Sequence, residues 1–295
     1  MERLLKKKST IVLFLLPGVL FFSIVVAFPL FYTIVLSLFN WGLMGPARFL
    51  GIRNYIQLFG LDSTFQQALK NTLLLTLGCV CTQTPLAVFF AFLLRRPFPG
   101  KGFYKTAFFI PHMISSVASA LLWYFILHPD FGIVNSLLRM VGLGDLARAW
   151  IGDPATILGW VVTAMAWQHF GYHMIIYLAA MQGIADDILD AAVIDGTNSW
   201  QNFWHIVFPL ITPIMKVDII LIATGSLRAF DMIYAMTGGG PNHATEVIST
   251  MLYFRSFQGM QFGYGSAMAV ILIVFCLAAT GIINKAFKGI EDKVV

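Results

Sequence analysis

Charge is what this 295-residue chain is short of: Asp, Glu, Lys and Arg together make up 11% of it, where a soluble domain carries roughly 25%. So few charges cannot cover a water-facing surface of this size, which excludes a cytosolic enzyme and a disordered regulator. Cysteine is scarce as well. Cys79, Cys81 and Cys276 all lie inside apolar runs, so they read as packing residues, not as disulfide partners or metal ligands. A phosphate-binding loop is missing: Gly100-Lys101-Gly102 lacks both the upstream glycine spacing and a Ser or Thr after the lysine. Internal repeats and low-complexity tracts are not evident. A cleavable leader is not expected either, because the basic start (Arg3, Lys6, Lys7, Lys8) runs into an apolar stretch from Ile11 to Phe39 that is too long for one.

Apolar residues are what the chain has in excess: 58% of it is hydrophobic, with 27 Phe and 13 Met, and the mean hydropathy is +0.80. A membrane crossing needs about 20 such residues. The pattern predicts an all-α membrane protein with six transmembrane helices near 11–39, 71–94, 106–127, 157–182, 217–236 and 263–284. Five of these contain no Asp, Glu, Lys or Arg, and the fifth contains Asp218, Arg228 and Asp231. The net charge of +5 then marks cytoplasmic ends of spans and does not imply nucleic acid. With the N-terminus inside, the inner segments hold Arg3, Lys6, Lys7, Lys8, Arg95, Arg96, Lys101, Lys105, Lys216, Lys285, Lys288 and Lys293. The outer ones hold only Arg48, Arg53, Lys70, Arg139, Arg148 and Arg255. That bias predicts N-in and C-in.

One inner segment departs from the pattern. The loop 183–213 carries Asp186, Asp187, Asp190 and Asp195. An acidic loop is poorly placed against anionic lipid unless a protein partner holds it off the bilayer. Its residues predict a short helix from Asp186 to Ile194 with acids at the dipole-favoured end, flattened by Ala191 and Ala192 and ended by a turn at Gly196. A second helix starts at Asn198, with Gln201 completing a capping box. Phe203, Trp204, Val207 and Phe208 share one face of it, and Pro209 is expected to stop it before the fifth span.

This loop resembles the signature of binding-protein-dependent ABC importer permeases, in which Glu-Ala-Ala is followed by three residues, Gly, nine residues and Ile-x-Leu-Pro. It stands here as Asp190-Ala191-Ala192, Gly196, Ile206 and Pro209, with Asp190 in place of Glu and Phe208 in place of Leu. Further resemblance lies in LRRPFPGKGFYKTAFFIP (94–111), FDMIYAMTGGGPNHAT (230–245), the segment 17–41 and GIRNY (51–55). It covers nearly the whole chain and is similar to the MalF-like and UgpA-like carbohydrate group. The resemblance implies the type I ABC importer permease fold, as one transmembrane domain over 1–295 in a prokaryotic plasma or inner membrane. It also implies a second, MalG-like permease, two cytoplasmic ATPase subunits that bind ATP and Mg, and an extracellular or periplasmic solute-binding protein. The implied substrate is a sugar, foremost an oligosaccharide, with a glycerol phosphate or other polyol-type solute as the alternative. No cofactor or catalytic residue is implied for this chain.

Under that resemblance Asp186, Asp187, Asp190, Ala191, Ala192, Gly196, Ile206 and Pro209 form the surface that couples to the ATPase, with Asp190 as the ionic contact. Two places within spans are candidates for the substrate path. Ser226, Arg228, Asp231 and Tyr234 belong to the fifth span, where Arg228 and Asp231, three residues apart, either line the path or pair with each other. Gln168, Tyr172 and His173 belong to the fourth, where aromatic rings and amides suit sugar faces and hydroxyls; a packed polar stripe between spans is the other use open to them. His169 and His173 have the spacing of two metal ligands, but no third accompanies them. A secondary transporter is the rival class; it would leave the signature loop unexplained and would call for similar halves, which the chain lacks.

Overall fold

The computed structural model describes residues 8–42 and 45–291, without the side chains of residues 8–10, 193, 290 and 291. Arg3, Lys6, Lys7 and Lys293, which count toward the predicted orientation, lie outside the described residues, as does the side chain of Lys8. The chain starts with α1 (Lys8–Phe22), a π-helical turn (Ser23–Ala27) and α2 (Phe28–Leu36), followed by the short strands β1 (Phe39–Asn40) and β2 (Arg48–Phe49). Then come α3 (Arg53–Gly60), α4 (Ser63–Arg95), α5 (Lys101–Met113), α6 (Ser116–Ile126), α7 (Ile133–Met140) and α8 (Ile157–Gln182). The second half holds α9 (Asp186–Ile194), α10 (Ser199–Asn202), a π-turn (Phe203–Val207), α11 (Phe208–Leu227) and α12 (Asp231–Thr237). It closes with α13 (Ile248–Tyr253), a π-turn (Phe254–Gln258) and α14 (Phe262–Glu291).

Two compact units result. One takes in the residues up to Asp62 together with Leu252–Ile271. In it every residue from Ile11 to Tyr32 is exposed, and a helix apolar on all sides is stable only in hydrocarbon or against another protein. β1 and β2 pair antiparallel, Phe39 opposite Phe49. The buried Asn54 amide donates to the carbonyls of Ser37 at 2.8 Å and Phe39 at 3.0 Å. Tyr264 Oη donates to Asp62 Oδ2 at 2.8 Å, and Arg255 pairs with the same carboxylate at 3.6 Å.

The other unit, Ser63–Met251 with the residues from Leu272 on, is built on α4, α8 and α11. Two apolar clusters hold these helices together. The first contains Leu75, Cys79, Val161, Ala164, Ile222 and Ile233. The second contains Ala87, Ala91, Met174, Tyr177, Phe203, Val207 and Ile211. Between the clusters each helix buries polar side chains: Gln83 and Thr84 on α4, Gln168 and His173 on α8, Asp218 on α11. The unit thus has a polar belt between two apolar layers.

Among the described residues four helical stretches are long and apolar enough to cross a membrane, Ile11–Leu36, Ser63–Arg95, Ser199–Leu227 and Phe262–Gly289, and α5 with α6 makes a fifth if the bent pair is one span. Three expectations are corrected. The stretch 106–127 is not one helix, since α5 and α6 meet at 98° across extended backbone at Ile114 and Ser115. The stretch 217–236 is broken as well, because α11 ends at Leu227 and α12 starts at Asp231. Pro209 does not stop a helix: it sits in the first turn of α11, directly after the π-turn, whose wider loop accommodates a residue that cannot donate. α8 spans the fourth expected segment as 26 residues, yet its polar belt residues keep it out of the strongly apolar set.

Both breaks are repaired by side chains, as hydrocarbon demands of freed backbone groups. Gln168 Nε2 donates to the Ile114 carbonyl at 2.9 Å, and Ser249 Oγ donates to the Ala229 carbonyl. The loop after α12 is held similarly: Asn71 Nδ2 donates to the carbonyls of His243 at 3.0 Å and Glu246 at 2.9 Å. Gly171 allows α8 to touch α5, for a Cβ there would collide with the Phe108 carbonyl. Gly171→Ala is expected to cost about 1–3 kcal/mol as an overpacked contact, read as a Tm about 5 °C lower for the purified complex. Asn71→Ala takes the side-chain donor from the buried Glu246 carbonyl and leaves that of His243 with the Glu246 N–H alone; it is expected to cost about 1–3 kcal/mol, with faster proteolysis confined to 238–247.

Candidate functional site

Two sites emerge in the α4–α8–α11 unit, one at its charged loop and one inside its polar belt. At the loop, Asp186 and Asp187 fill the first turn of α9, and Gly196, with φ of +80°, ends it. Thr197 ties the turn down, its hydroxyl donating to the Ala192 carbonyl at 2.7 Å. Asn198 caps α10 and Gln201 returns the bond, completing the capping box read from the sequence. Ala192 is buried, Ala191 is exposed, and α9 turns Ile188 (45% exposed) and Ile194 (85%) outward. Short acids, the small side chain of Ala191 and two exposed isoleucines on one small helix suit seating in another protein's cleft. Behind α9 lies a cavity of about 280 Å³ lined by Arg95, Arg96, Asp186, Asp190 and Ser199 among others. Arg96 bridges it, donating to Ser199 Oγ at 2.9 Å.

Ile206 is half-buried in the π-turn and Pro209 half-buried beyond it. Phe203 and Val207 pack into the core, with Phe203 4.7 Å from the Phe92 ring, while Trp204 stays exposed. The expected aromatic face is therefore split between the core and the surface. Ser199–Leu227 forms one continuous helical stretch of 29 residues. The charged loop is thereby joined rigidly to the second site.

That second site is a chamber of about 370 Å³ where α8, the α5–α6 break and the α11–α12 break meet. Of the path candidates, Tyr172, His173, Ser226, Arg228 and Asp231 line it. Gln168 and Tyr234 do not. The Gln168 amide serves the Ile114 carbonyl, and Tyr234 stacks on Phe230 at 5.1 Å. Arg228 and Asp231 form no ion pair among the described residues. The helix end between them removes the shared face, and Arg228 Nε instead donates to the Thr224 carbonyl at 3.1 Å. Both side chains are exposed, one a fixed donor and the other an acceptor.

The structure adds residues that sequence reading left unassigned. His112, at the end of α5, stacks on Tyr172 with ring centroids 4.6 Å apart at 16° and lies 5.5 Å from the His169 ring. His169 Nδ1 donates to the Met165 carbonyl at 2.9 Å. Gln83 and Ser116 complete the polar lining. Only the helix break brings His112 here, so hydropathy could not signal it. Among the described residues no three His, Cys, Asp or Glu side chains come together in a metal-holding cluster. Stacked rings beside a donor, an acceptor and hydroxyls can hold a polyhydroxylated ring by its face and its edge.

Residues 83–289 match the family described as binding-protein-dependent transport system inner membrane component. The chain is 37% identical to the probable ABC transporter permease protein YurN of Bacillus subtilis (strain 168) over 94% of this chain and 95% of that one. It is 32% identical to the multiple sugar-binding transport system permease protein MsmF of Streptococcus mutans serotype c, over 84% of each. A chain in the crystal structure of a bacterial ABC transporter involved in the import of the acidic polysaccharide alginate superposes with a TM-score of 0.79. The two are 26% identical, and the match covers 93% of this chain and 95% of that one. The signature loop, the apolar helices and these likenesses agree: the chain belongs to the binding-protein-dependent transport system inner membrane components, the multi-pass permeases of ABC transporters.

Proposed function

We propose that this chain is one of two permeases of an ATP-driven sugar importer, and that the chamber at the two helix breaks is its stage of the sugar's path. The observation that carries the reading is the continuous stretch Ser199–Leu227, which leads from the α9 loop to the chamber. The whole chain, 1–295, makes one permease domain with six crossings, N-in and C-in, α5 with α6 and α11 with α12 each serving as a broken crossing. A second, MalG-like permease closes the path, and an extracellular binding protein delivers an oligosaccharide. ATP and Mg belong to two cytoplasmic ATPase subunits.

In this reading α9 sits in a cleft of one ATPase, with Asp186, Asp187 and Asp190 as its charged contacts and Ala191 as the close approach, while the buried Ala192 packs α9 onto its own chain. Gly196 makes the reversal, and the signature positions Ile206 and Pro209 join α9 to the long helix. When the ATPases close on ATP, α9 moves with them, and a rigid helix transmits the shift to Ser226, Arg228 and the break. Inside the chamber Tyr172 with His112 offers a flat face, while Arg228, Asp231, Ser226 and His173 meet hydroxyls. MsmF, a permease of a multiple sugar-binding transport system, and the alginate importer support a saccharide substrate. Gln168 and Tyr234 hold the walls from outside.

Asp190→Lys and Gly196→Pro, made separately, test the coupling. Losing a central docking contact of about 2 kcal/mol is expected to weaken ATPase docking about 30-fold. Binding-protein-stimulated ATPase and uptake would fall with normal membrane levels of the permease; unchanged stimulation would refute the role. Arg228→Ala is expected to lower sugar moved per ATP by about tenfold, the worth of one charge-assisted hydrogen bond. Loss of assembled complex without a change in that ratio would make Arg228 a purely structural residue.

A further inference from the structure

Beside the chamber, α8 and α11 are joined by a pair that the coupling scheme does not require. His173 Nδ1 and Asp218 Oδ1 lie 2.7 Å apart, with 7% and 0% of their side chains exposed. His173 is a wall of the chamber and Asp218 is not. A carboxylate only accepts, so Nδ1 carries the proton and is turned to Asp218. The other ring nitrogen, Nε2, has no protein partner among the described residues. Asp218 is flanked by Tyr177 of α8, and Thr84 of α4 lies beside the same phenol. All three side chains are buried. The carboxylate is thus enclosed by three helices, within the belt that separates the two apolar clusters.

A charge held this deep in a span is costly unless it has work to do. Joining two helices needs only a hydroxyl or an amide. Fixing which nitrogen of an imidazole bears the proton needs an acceptor that cannot donate, and a carboxylate is that acceptor. We propose that Asp218 is a positioning residue: it holds the His173 ring in one orientation and one tautomer, with Nε2 presented to the chamber as the acceptor for a sugar hydroxyl. Arg228, on the α11 end of the same chamber, can only donate. A hydroxyl-bearing ring between them is bound as donor on one side and acceptor on the other. The inference rests on the chamber being the sugar path.

Asp218→Asn keeps the volume but lets an amide N–H face Nδ1, which moves the proton to Nε2 and turns the acceptor into a donor. The complete transporter with its binding protein, labelled with ¹⁵N-histidine, is expected to show His173 as the Nδ1–H form in the parent and the Nε2–H form in Asp218→Asn. His173→Gln assigns the signal. For transport, maltotriose, lactose, raffinose and trigalacturonate are screened, and the one that stimulates the parent complex most is used in labelled form. Sugar moved per ATP is expected to fall about tenfold in Asp218→Asn and in His173→Gln, and no further in the double variant. If none of the four saccharides stimulates, the sugar reading fails and this inference with it. If Arg228→Ala lowers the ratio while Asp218→Asn and His173→Gln leave it unchanged, the sugar reading stands and the positioning role is overturned. If Asp218→Asn does not assemble, an unchanged ratio in His173→Gln alone overturns it.

Discussion

Hydrocarbon offers no hydrogen bonds, so each polar group within a span must find its partner in the chain or in a cavity. The fold of the α4–α8–α11 unit follows from this constraint. Two backbone breaks free carbonyls at Ile114 and Ala229, and the side chains of Gln168 and Ser249 reach in to satisfy them. The belt of Gln83, Thr84, Gln168, His173 and Asp218 sits where these repairs are made. Irregular backbone at this depth is tolerated only where it is buried or lines a cavity, and here it does both. The chamber is therefore the place where the helices are allowed to be imperfect.

The same constraint separates rigid parts from compliant ones. Apolar clusters on either side of the belt lock α4, α8 and α11 along most of their length. The π-turn at Phe203–Val207 preserves continuity from α10 into α11 despite Pro209. In the coupling proposed above, a shift of α9 is carried along this unbroken helix to the break at Arg228–Phe230. Arg96, bonded to Ser199, anchors the near end of that helix to the loop after α4.

The charged loop was legible because its information is local. Capping at Asn198, the reversal at Gly196 and the acids of α9 depend on neighbours a few residues away. Long apolar spans were legible for the same reason. Hydropathy, however, averages over a window and does not register a break of two residues, so the bends at Ile114–Ser115 and after Leu227 were read as continuous helix. Pairings across distance were invisible too: His173 meets Asp218 from 45 residues away, and His112 joins Tyr172 only through the break. Gln168 was rightly singled out as polar in a span, but its bond goes to a neighbouring backbone. Arg228 and Asp231 are three residues apart, which implies a shared face only while the helix continues.

The fully exposed stretch from Ile11 to Tyr32 has a consequence for how this chain can vary. Apart from the Phe28 and Tyr32 rings, stacked 6.2 Å apart, the side chains there meet no neighbour that would demand a particular shape. Substitution among Leu, Ile, Val and Phe would be nearly free, whereas a single aspartate would be resisted wherever it fell. That segment encodes a bulk property, solubility in lipid, and its order of residues is close to arbitrary. The belt residues Gln168, His173 and Asp218 are its opposite, since each is defined by one partner.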